Sequence, residues 1–427
     1  MSELSRVEAR ALQALDAAST VELLTELLRV PSVSGTDAEC DIQHLLAQRL
    51  ERLGLEVDLW PLDLPELELD PGFPGVETTR SEAWGLVGDL VGDSRERALV
   101  LQGHVDVVPA GDRSTWSGDP FRPVVTADRV RARGACDMKA GLAANLAAVT
   151  AIADAGIDLL ETLSVQFVVG EEDGGLGAFG TLARGHRGRA CIITEPTSNT
   201  LITANAGALT FTIQVPGLAT HASTSYAGSS AIDSYLAIHL GLGRLERERN
   251  RTVEPLMQEY PVAYPICVGR LRAGEWSSSV PDLLVADGRM GTRIGEDPLA
   301  ARAELEQCVA GISAGDRYLR DHPPVITWAG GQFAGGSLQP GHELRHLVGT
   351  AHADVTGEPR LRERGAPYGS DLRLYAAAGI PTLHYGPGQV RLAHGPDESV
   401  VISEVLDVAR TLVLAVLRAC GARESRG

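Results

Sequence analysis

Short strand-like stretches alternate with helical segments along the first half of the chain, and this alternation constrains the fold more than any other feature. The stretches LEVDLWP, GLVGDLVG, ALVLQGHVDVV, LSVQFVVGEE and ACIITEP are each short and largely apolar. Helical patterns run over 6–30 and 37–53, and an Ala-rich helix is predicted at 139–155. Strands interleaved with helices predict an α/β domain with a doubly wound, mostly parallel sheet.

The pattern changes after residue 206. A strand (LTFTIQV), a helix at 229–248, two strands (YPICVGRLRAG and LLVADGRMGTRI), a helix at 297–319 and a last strand (PVITWAG) follow in that order. The order β-α-β-β-α-β predicts a ferredoxin-like α+β domain. At 427 residues the chain is long enough for two domains. We therefore predict a catalytic domain over 1–206 and 333–427, interrupted by an inserted domain over 207–332. The Pro- and acid-rich stretch 61–85 is predicted to be a long surface loop.

Charge and composition exclude several classes of partner. The formal net charge is −18 and no basic block is present, which disfavours nucleic acid and anionic membrane as partners. The most apolar stretch, VLDVARTLVLAVLRAC, is too short and too charged to span a bilayer, and the charged N-terminus has no apolar signal core. The six cysteines lie far apart without a Cys-x-x-Cys, so we expect neither a disulfide framework nor a thiolate zinc site. The expected location is the cytoplasm.

Two ionisable residues interrupt one of the apolar stretches. His104 and Asp106 lie within LVLQGHVDVVPAG, two residues apart, so they would share a face or an end of the strand. A buried histidine paired with a carboxylate for structural reasons and a functional site are both compatible with this pair alone. The chain also has a single lysine, Lys139, whereas every other basic residue is arginine. A lone lysine suggests a position that requires a compact ammonium group.

Further acidic and imidazole residues lie at or after the ends of predicted strands: Asp137 in RARGACDMKAG, Glu171 and Glu172 in GEEDGGLGA, Glu195 in TEPT, and His394 in RLAHGPDE. Taken singly, Asp137 could cap a helix, Glu195 could be an exposed turn acid and His394 a solvated loop residue. Ligands bind at the carboxyl ends of strands in open α/β sheets, so these loops could converge on one crevice. Adjacent carboxylates repel each other unless a cation compensates them. Carboxylates with imidazoles and no thiolate suit zinc, cobalt or manganese.

The motifs GHVDVVPAG, GACDMKAG, GEEDGGLGA, TEPT, THAS and AHGPDE occur in this order and cover nearly the whole chain. Together they resemble the di-zinc aminoacylase and peptidase family that includes acetylornithine deacetylase and succinyl-diaminopimelate desuccinylase. The resemblance implies two divalent metal ions, zinc or alternatively cobalt, with Asp137 bridging them. It implies that His104 and Glu195 complete one metal site and that Glu172 and His394 complete the other.

The same resemblance implies roles around the metals. Glu171 would be the general base that takes a proton from water and passes it to the leaving amine. Asp106 would orient His104 by accepting its free ring N–H. His221, in GLATHAST of the inserted domain, would stabilise the tetrahedral oxyanion, often from the partner subunit. The inserted domain would thus serve as a lid and as the contact of a homodimer.

Substrate-binding residues are predicted in three further stretches. The resemblance implies an arginine that binds a substrate carboxylate in DGRMGTR, for which the strand phase favours Arg289 over Arg293. YGSDLR resembles a family loop that lines the pocket, which implies Ser370 and Asp371 as lining residues. Gly386 and Gly388 of YGPGQ would offer free backbone N–H groups, and Asp371 would receive a second, cationic group of the substrate. The turn SSSVPDLL lacks the asparagine that the family usually has there, which disfavours a desuccinylase.

The resemblance, together with these residues, implies a zinc-dependent hydrolase of linear amide bonds, which removes a small acyl group from an N-acyl amino acid or a related amine. N-acetylornithine is the first small-molecule substrate to test. One alternative is a formylaminopyrimidine deformylase, whose substrate has no carboxylate, and another is a dipeptidase or carboxypeptidase with the same metal site. A metal-free binding protein is disfavoured because every ligand position implied by the resemblance is occupied by a suitable residue.

Overall fold

The computed structural model describes residues 4–424 and divides into two compact units. The first unit contains the chain up to Thr203, Ser337–Arg364 and the chain from Asp371 onward, and the second contains Ala204–Gly336 and Gly365–Ser370. The second unit is thus longer than the insertion predicted over 207–332. Segment 365–370 joins it because Ala366 accepts a hydrogen bond from the backbone of Ala206 (2.8 Å) and Gly365 accepts one from the Tyr260 hydroxyl (2.9 Å).

Helices of the first unit begin where the sequence offers capping side chains. Ser5 and Glu8 form a reciprocal capping box at the start of α1, and the Asp16 carboxylate caps α2. The pattern predicted as one helix over 6–30 is therefore two helices. The helices are α1 (Arg6–Ala14), α2 (Ala17–Leu28), α3 (Ala38–Arg52), α4 (Leu64–Leu69), α5 (Lys139–Asp154), α6 (Leu176–Ala183), and, after the second unit, α9 (Glu343–Thr356), α10 (Leu372–Ala377) and α11 (Ile402–Cys420).

The large sheet is mixed, with a parallel centre. Its strands are β1 (Glu56–Pro61), β2 (Trp84–Leu90), β3 (Ser94–His104), β7 (Glu161–Val168), β8 (Cys191–Ile193), β9 (Leu201–Asn205), β15 (Gly336–Ser337), β16 (Glu363–Ala366) and β17 (Thr382–His384). The order is β1-β2-β7-β3-β8-β17-β9-β15, with β16 paired to β9. Strands β7, β3, β8 and β17 run parallel, while β1, β2 and β9 join antiparallel. The predicted α/β class is confirmed.

The core of the first unit lies between this sheet and its helices. The Ala-rich helix α5 is buried along nearly its whole length because alanines allow it to pack closely against α2 and α11. Shorter pairings complete the unit: β4 (Val124–Val125), β5 (Arg129–Arg131) and β18 (Ser399–Val401) form one small sheet, and β6 (Ile157–Leu159) pairs with β19 (Ala422–Glu424). No helix within residues 4–424 is both long and apolar enough to cross a membrane.

The second unit has the predicted ferredoxin-like arrangement. Strands β10 (Gly207–Pro216), β11 (Ile266–Ala273), β12 (Leu283–Thr292) and β13 (Val325–Thr327) form an antiparallel sheet in the order β11-β12-β10-β13, and β14 (Gln332–Phe333) also pairs with β10. Helices α7 (Ala231–Arg249) and α8 (Pro298–Gly315) follow β10 and β12. Alternate residues of β10, such as Phe211 and Ile213, are buried and pack with residues of both helices.

Two local predictions differ from the structure. The strand predicted over ALVLQGHVDVV stops early: β3 ends at His104 and Asp106 lies just beyond it, so the two residues share an end of the strand and not a face. The stretch 61–85 is not wholly a surface loop: it contains α4, and the Arg80 side chain is only 3% exposed. Arg80 is buried because it pairs with the carboxylates of Glu39 and Asp173, which the local sequence does not reveal.

Candidate functional site

His104 ends the central strand β3 and is almost completely buried. Its Nε2 atom lies 3.2 Å from Asp137 Oδ1 and 3.5 Å from Glu195 Oε1. Its Nδ1 atom lies 2.9 Å from the main-chain carbonyl oxygen of Asp106 and 3.6 Å from that residue's Oδ1. A donor N–H on Nδ1 therefore fixes the ring, and Nε2 faces the two carboxylates.

The carboxylate of Asp106 holds the neighbouring loop. It accepts the backbone N–H groups of Glu171 and Glu172, both at 3.2 Å, and the hydroxyl of Ser34 at 2.9 Å. The group of Asp106 closest to the His104 ring is therefore its main-chain carbonyl, which orients the ring. The Asp106 carboxylate fixes the loop after β7. Burial opposes the ionisation of Asp106, but the hydrogen bond and charge of His104, the charge of Arg80 and the hydrogen bond from Ser34 hold its pKa low.

Asp137 lies between the two imidazoles. It precedes α5, and its peptide bond to Met138 is cis. Its Oδ1 lies 3.2 Å from His104 Nε2, and its Oδ2 lies 3.5 Å from His394 Nε2. Burial opposes ionisation, but hydrogen bonds with both histidines hold the pKa of Asp137 well below its usual range. Each oxygen of one ionised carboxylate thus faces a different histidine, which is the arrangement that a bridging ligand requires.

His394 and Glu172 form the second half of the cluster. His394 follows β17 in a loop and adopts a positive φ of 61°, and its Nε2 lies 3.0 Å from Glu172 Oε1. Hydrogen bonds to Asp137 and Glu172 raise the pKa of His394 to about 11. Burial and the charge of Asp137 raise the pKa of Glu172. The side chain of His394 is 54% exposed, so this half of the cluster is open to solvent.

Glu171 and Glu195 are buried and close to His104. The three residues form one group whose ligand atoms all lie within 4.8 Å of one another, and His104, Asp137 and Glu172 form a second such group. Burial, followed by the charge of Glu195, raises the pKa of Glu171 well above its ordinary value. Burial, followed by the charge of Asp137, does the same to the pKa of Glu195. Carboxylates this crowded are costly to ionise together without a cation.

The donor set fits divalent metal ions. Carboxylate oxygens and imidazole nitrogens converge from the loops after β3, β5, β7, β8 and β17, which are the ligand types of zinc, cobalt and manganese sites. Cys136, beside Asp137, does not add a thiolate: burial raises the pKa of its thiol, which donates to the Gln389 carbonyl at 3.2 Å. A cation shared by these carboxylates would relieve their mutual repulsion.

The remaining predicted residues lie outside this cluster or are engaged elsewhere. In the second unit, His221 is exposed, and its Nδ1 accepts the backbone N–H of Ser223 at 3.2 Å. Arg289 is exposed on β12, lies over the Phe333 ring at 5.5 Å and donates to Thr210 Oγ1 at 3.4 Å. Ser370 is only 1% exposed.

Three predicted substrate-binding residues of the first unit are already hydrogen-bonded. The N–H of Gly386 donates to Thr197 Oγ1 at 3.2 Å, and the N–H of Gly388 donates to Glu404 Oε2 at 3.0 Å, so the prediction that these groups are free is wrong. A Cβ atom at Gly386 would lie 2.2 Å from the Thr194 carbonyl, so close backbone packing accounts for this glycine. Asp371 is 1% exposed and accepts a hydrogen bond from Gln102 Nε2 at 2.8 Å, and burial raises its pKa to about 6.

Further buried charges lie near the cluster; of these, the sequence analysis singles out only Lys139, the single lysine of the chain. Arg133 and Glu398 form a buried ion pair at 2.7 Å, and Glu39 pairs with Arg80 at 2.9 Å. Arg133 lies in RARGACDMKAG, the motif of Asp137, and Glu398 lies in RLAHGPDE, the motif of His394. A second charged residue within the same motif as a candidate ligand is the sequence signal that could have identified both. Lys139 is fully buried: its Nζ donates to the carbonyl oxygens of Leu27 (3.1 Å) and Val30 (2.7 Å), and burial lowers its pKa to about 7.

The α/β unit carries a carboxylate–imidazole cluster near the carboxyl ends of its central strands, and its chain is interrupted by a ferredoxin-like unit. Together these features define a metallo-hydrolase. The chain belongs to Peptidase family M20/M25/M40, whose profile matches residues 100–418. Members similar to this chain act on amide bonds, and the predictions of the family and of an amide hydrolase are confirmed.

Individual relatives are similar over almost their full lengths. The chain is 29% identical over 413 residues to N-formyl-4-amino-5-aminomethyl-2-methylpyrimidine deformylase of Bacillus subtilis (strain 168), covering 90% of each protein. It is 32% identical over 415 residues to succinyl-diaminopimelate desuccinylase of Leptothrix cholodnii, covering 93% of this chain and 99% of the relative. A di-peptidase of Saccharomyces cerevisiae has a similar fold, with a TM-score of 0.76, 14% identity, and coverage of 98% and 99%.

Proposed function

We propose that this chain is a dinuclear metal amidohydrolase that removes a small acyl group from an amine. The observation that carries the proposal is the position of Asp137, whose two oxygens face the two imidazoles, with Glu195 beside His104 and Glu172 beside His394. In this assignment two ions would share Asp137, His104 and Glu195 would hold one of them, and Glu172 and His394 would hold the other. Zinc is the first choice for both positions and cobalt the second.

Two bound cations would supply polarisation of the scissile carbonyl and a lowered pKa of the attacking water. Glu171 does the proton chemistry. Its buried carboxylate, next to Glu195 and His104, takes one proton from the water as the new C–O bond forms. It then gives that proton to the amine nitrogen as the C–N bond breaks, and the products are a short carboxylic acid and a free amine. Burial, which raises the pKa of Glu171, favours the protonated form that gives the proton to the leaving amine.

In this proposal His221 donates a hydrogen bond that stabilises the tetrahedral oxyanion. Because its Nδ1 accepts the N–H of Ser223, the proton of the neutral ring resides on Nε2, which is then a hydrogen-bond donor on an exposed side chain. A donor directed at the developing negative charge is worth about 2.7–4 kcal/mol in related chemistry. The His221→Ala variant is expected to lower kcat by about 10²–10³-fold with little change in metal content.

Two substrate classes are supported by different observations. The similarity to a deformylase over 90% of both chains favours an N-formyl aminopyrimidine, whose recognition needs no carboxylate-binding group. The burial of Asp371 and the engaged N–H groups of Gly386 and Gly388 agree with this choice, because they remove groups expected to bind an amino acid. The exposed guanidinium of Arg289 favours the second class, a short N-acyl amino acid such as N-acetylornithine.

The test is kcat/KM for N-formyl-4-amino-5-aminomethyl-2-methylpyrimidine, N-acetylornithine, N-acetylmethionine, succinyl-diaminopimelate and a dipeptide, repeated on the Arg289→Ala variant. Preference for the formylpyrimidine, with no effect of Arg289→Ala, supports the deformylase assignment. Preference for an acylamino acid that Arg289→Ala abolishes supports the second class. Hydrolysis of none of these, by protein loaded with two zinc ions per chain, would contradict the removal of a small acyl group.

A homodimer through the second unit is part of the proposal. Helix α7 exposes a row of apolar side chains at a spacing of four residues, Ile232, Leu236 and Leu240, which are 41%, 56% and 64% exposed. Strand β11 is an edge strand, so within the described residues one of its sides has no neighbouring strand. The Leu236→Glu variant is expected to be monomeric by light scattering, whereas Leu69→Glu, which changes an exposed leucine of the first unit, is the control. A dimer that survives Leu236→Glu would contradict this interface.

Complementation shows whether the dimer shares its sites. His221→Ala and Glu171→Gln chains are each expected to be nearly inactive, but a mixed dimer regains one intact site if His221 serves the neighbouring subunit. Recovery of activity after subunit exchange supports that sharing, and no recovery after confirmed exchange contradicts it. We also infer a reducing compartment, such as the cytoplasm, because all six cysteines are free thiols.

A further inference from the structure

The ion pair of Arg133 and Glu398 connects the polypeptide segments that carry the proposed metal ligands. Its side chains are 2% and 1% exposed, and the shortest distance between the charged groups is 2.7 Å. Neither residue is a proposed ligand, and each has further hydrogen bonds that a simple ion pair would not require. Those hydrogen bonds go to the backbone of Asp137 and His394.

Glu398 fixes the segment of the bridging ligand. Its Oε1 atom accepts the backbone N–H groups of Cys136 and Asp137 at 2.8 and 2.9 Å. Its Oε2 atom is left for Arg133. One carboxylate oxygen therefore sets the position of the Asp137 backbone, and the other holds the guanidinium.

Arg133 fixes the segment of the exposed histidine. Its Nη2 donates to the carbonyl oxygen of His394 at 3.2 Å and to that of Pro109 at 3.3 Å, and its Nη1 also reaches the Gly395 carbonyl at 3.4 Å. The guanidinium lies 5.1 Å from the centre of the Trp116 ring, which covers it. A planar group with several N–H donors can make these contacts at once, whereas an ammonium cannot.

The conformation of His394 requires such support. Its φ of 61° lies in the left-handed region, which a residue other than glycine adopts only where its surroundings enforce it. Its side chain is 54% exposed, so few packing contacts hold the ring in place. The Arg133 hydrogen bond to its carbonyl therefore restrains the backbone that carries the ring, while Glu172 and Asp137 contact Nε2 itself. His104, by contrast, is 1% exposed and has a ring hydrogen bond of its own.

We propose that Arg133 and Glu398 are positioning residues that divide control of the metal centre: Arg133 sets the metal affinity of the His394 side alone, and Glu398, through Asp137, sets that of both sides. This inference rests on the proposed dinuclear function. It predicts that replacing a residue that touches no metal changes the metal affinity of the two positions by different amounts. An ion pair with a purely structural role would not produce that difference.

The variant Arg133→Met/Glu398→Gln tests the role of Arg133. Removing Arg133 alone would leave the Glu398 carboxylate buried without a partner, so the second change removes that charge. The introduced amide keeps an oxygen that can accept the N–H groups of Cys136 and Asp137. The variant thus takes away the donors to His394 and Pro109 while retaining the contact at the bridging ligand.

Zinc bound per chain is measured against free zinc in a competing chelator, for wild type and variants. Wild type is expected to bind two zinc ions, and in the double variant the affinity of one site falls by about 10–100-fold while that of the other stays the same. In a His394→Ala background the double change should cause no further loss of zinc affinity, because Arg133 acts on that site only through His394. Arg131→Met is the matched control: Arg131 ends β5, two residues before Arg133, and pairs with Asp397, next to Glu398, at 3.6 Å, but both side chains are 35% exposed.

Unchanged affinity of both sites in the double variant, or an equal loss at both, overturns the inference. If the double variant does not fold, Arg133→Lys keeps the charge but has too few directed donors, and a loss at one site only is still expected. If Arg133→Lys binds both zinc ions with the affinities of wild type, the inference is likewise overturned. Wild-type protein that binds fewer than two zinc ions overturns the proposed function and this inference with it, so the two failures are distinguishable.

Discussion

Replacing Arg80 by methionine should destabilise the first unit strongly, because one guanidinium compensates two buried carboxylates. Arg80 donates to Glu39 at 2.9 Å and to Asp173 at 2.6 Å, and the three side chains are 3%, 3% and 4% exposed. Removing one partner of a buried ion pair costs about 3–5 kcal/mol in free energy of unfolding. Glu39 keeps hydrogen bonds from the backbone N–H groups of Gly35 (2.5 Å) and Gly170 (3.2 Å). We therefore expect the lower part of that range, about 3–4 kcal/mol.

The loss should depend on pH in a defined direction. Burial and the charge of Asp106 already raise the pKa of Glu39 to about 7, although Arg80 opposes the shift. Between its unfolded value and this raised value, the folded state binds more protons than the unfolded state, so stability falls as pH rises. Without Arg80 the pKa of Glu39 rises further, so the pH range over which stability falls extends to higher pH. The difference between wild type and variant should then be largest above pH 7 and should shrink toward pH 5.

Thermal unfolding measured at several pH values tests this reasoning. A loss of about 3–4 kcal/mol corresponds to a decrease in Tm of about 5–7 °C for a unit of this size. Arg95→Met is the matched control, since Arg95 also pairs with a carboxylate through two bonds, to Glu56, but both groups are solvent-exposed. Its Tm should equal that of wild type. A Tm loss in Arg80→Met that equals the control, or that is the same at pH 5 and pH 8, would refute the argument.

The remaining predictions concern the metal centre and the single lysine. Exhaustive chelation should abolish hydrolysis and zinc or cobalt should restore it; full activity of metal-free protein would contradict the proposed centre. Glu171→Gln should keep both metals by elemental analysis and lose about 10²–10⁴-fold in kcat, and a loss below tenfold would reject Glu171 as the base. Asp137→Ala should lose both metals, and retention of two would exclude a bridging role. Lys139→Met should destabilise the protein, and because burial lowers the pKa of Lys139 to about 7, the stability of wild type relative to this variant should rise between pH 7 and 10.

Much of the fold was predictable because its elements have local signals. The Ala-rich helix predicted at 139–155 is α5, and the order of strands and helices after residue 206 gives the ferredoxin-like unit. The division of 6–30 into two helices was missed, since the Asp16 cap lies within an otherwise continuous apolar pattern. The end of β3 at His104 was also missed. Its hydrogen-bonded neighbours on β7 and β8 determine where pairing stops, and those residues are distant in sequence.

The candidate ligands were predictable for a different reason. His104, Asp137 and Glu195 each lie in a short motif with small residues around them. The parallel strands β3 and β8 bring His104 and Glu195 to the same edge of the sheet, whereas Asp137 lies between β5 of the small sheet and α5. The substrate-binding predictions had no such support. A Gly-Pro-Gly sequence does not show whether its N–H groups are free, and the partners of Gly386 and Gly388, Thr197 and Glu404, come from other parts of the chain.

The buried charges of the first unit therefore have two distinct roles. Inner carboxylates face one another and the imidazoles, and they become favourable only when cations neutralise them. Outer carboxylates, those of Asp106, Glu39 and Glu398, accept backbone N–H groups of the segments that carry the inner residues. Arg80 and Arg133 neutralise Glu39 and Glu398 directly. Because the outer charges are compensated by the protein itself, the loops can keep their positions before any metal binds. Substitution of an inner acid should thus cost metal binding, whereas loss of an outer arginine should first cost stability or the affinity of one site.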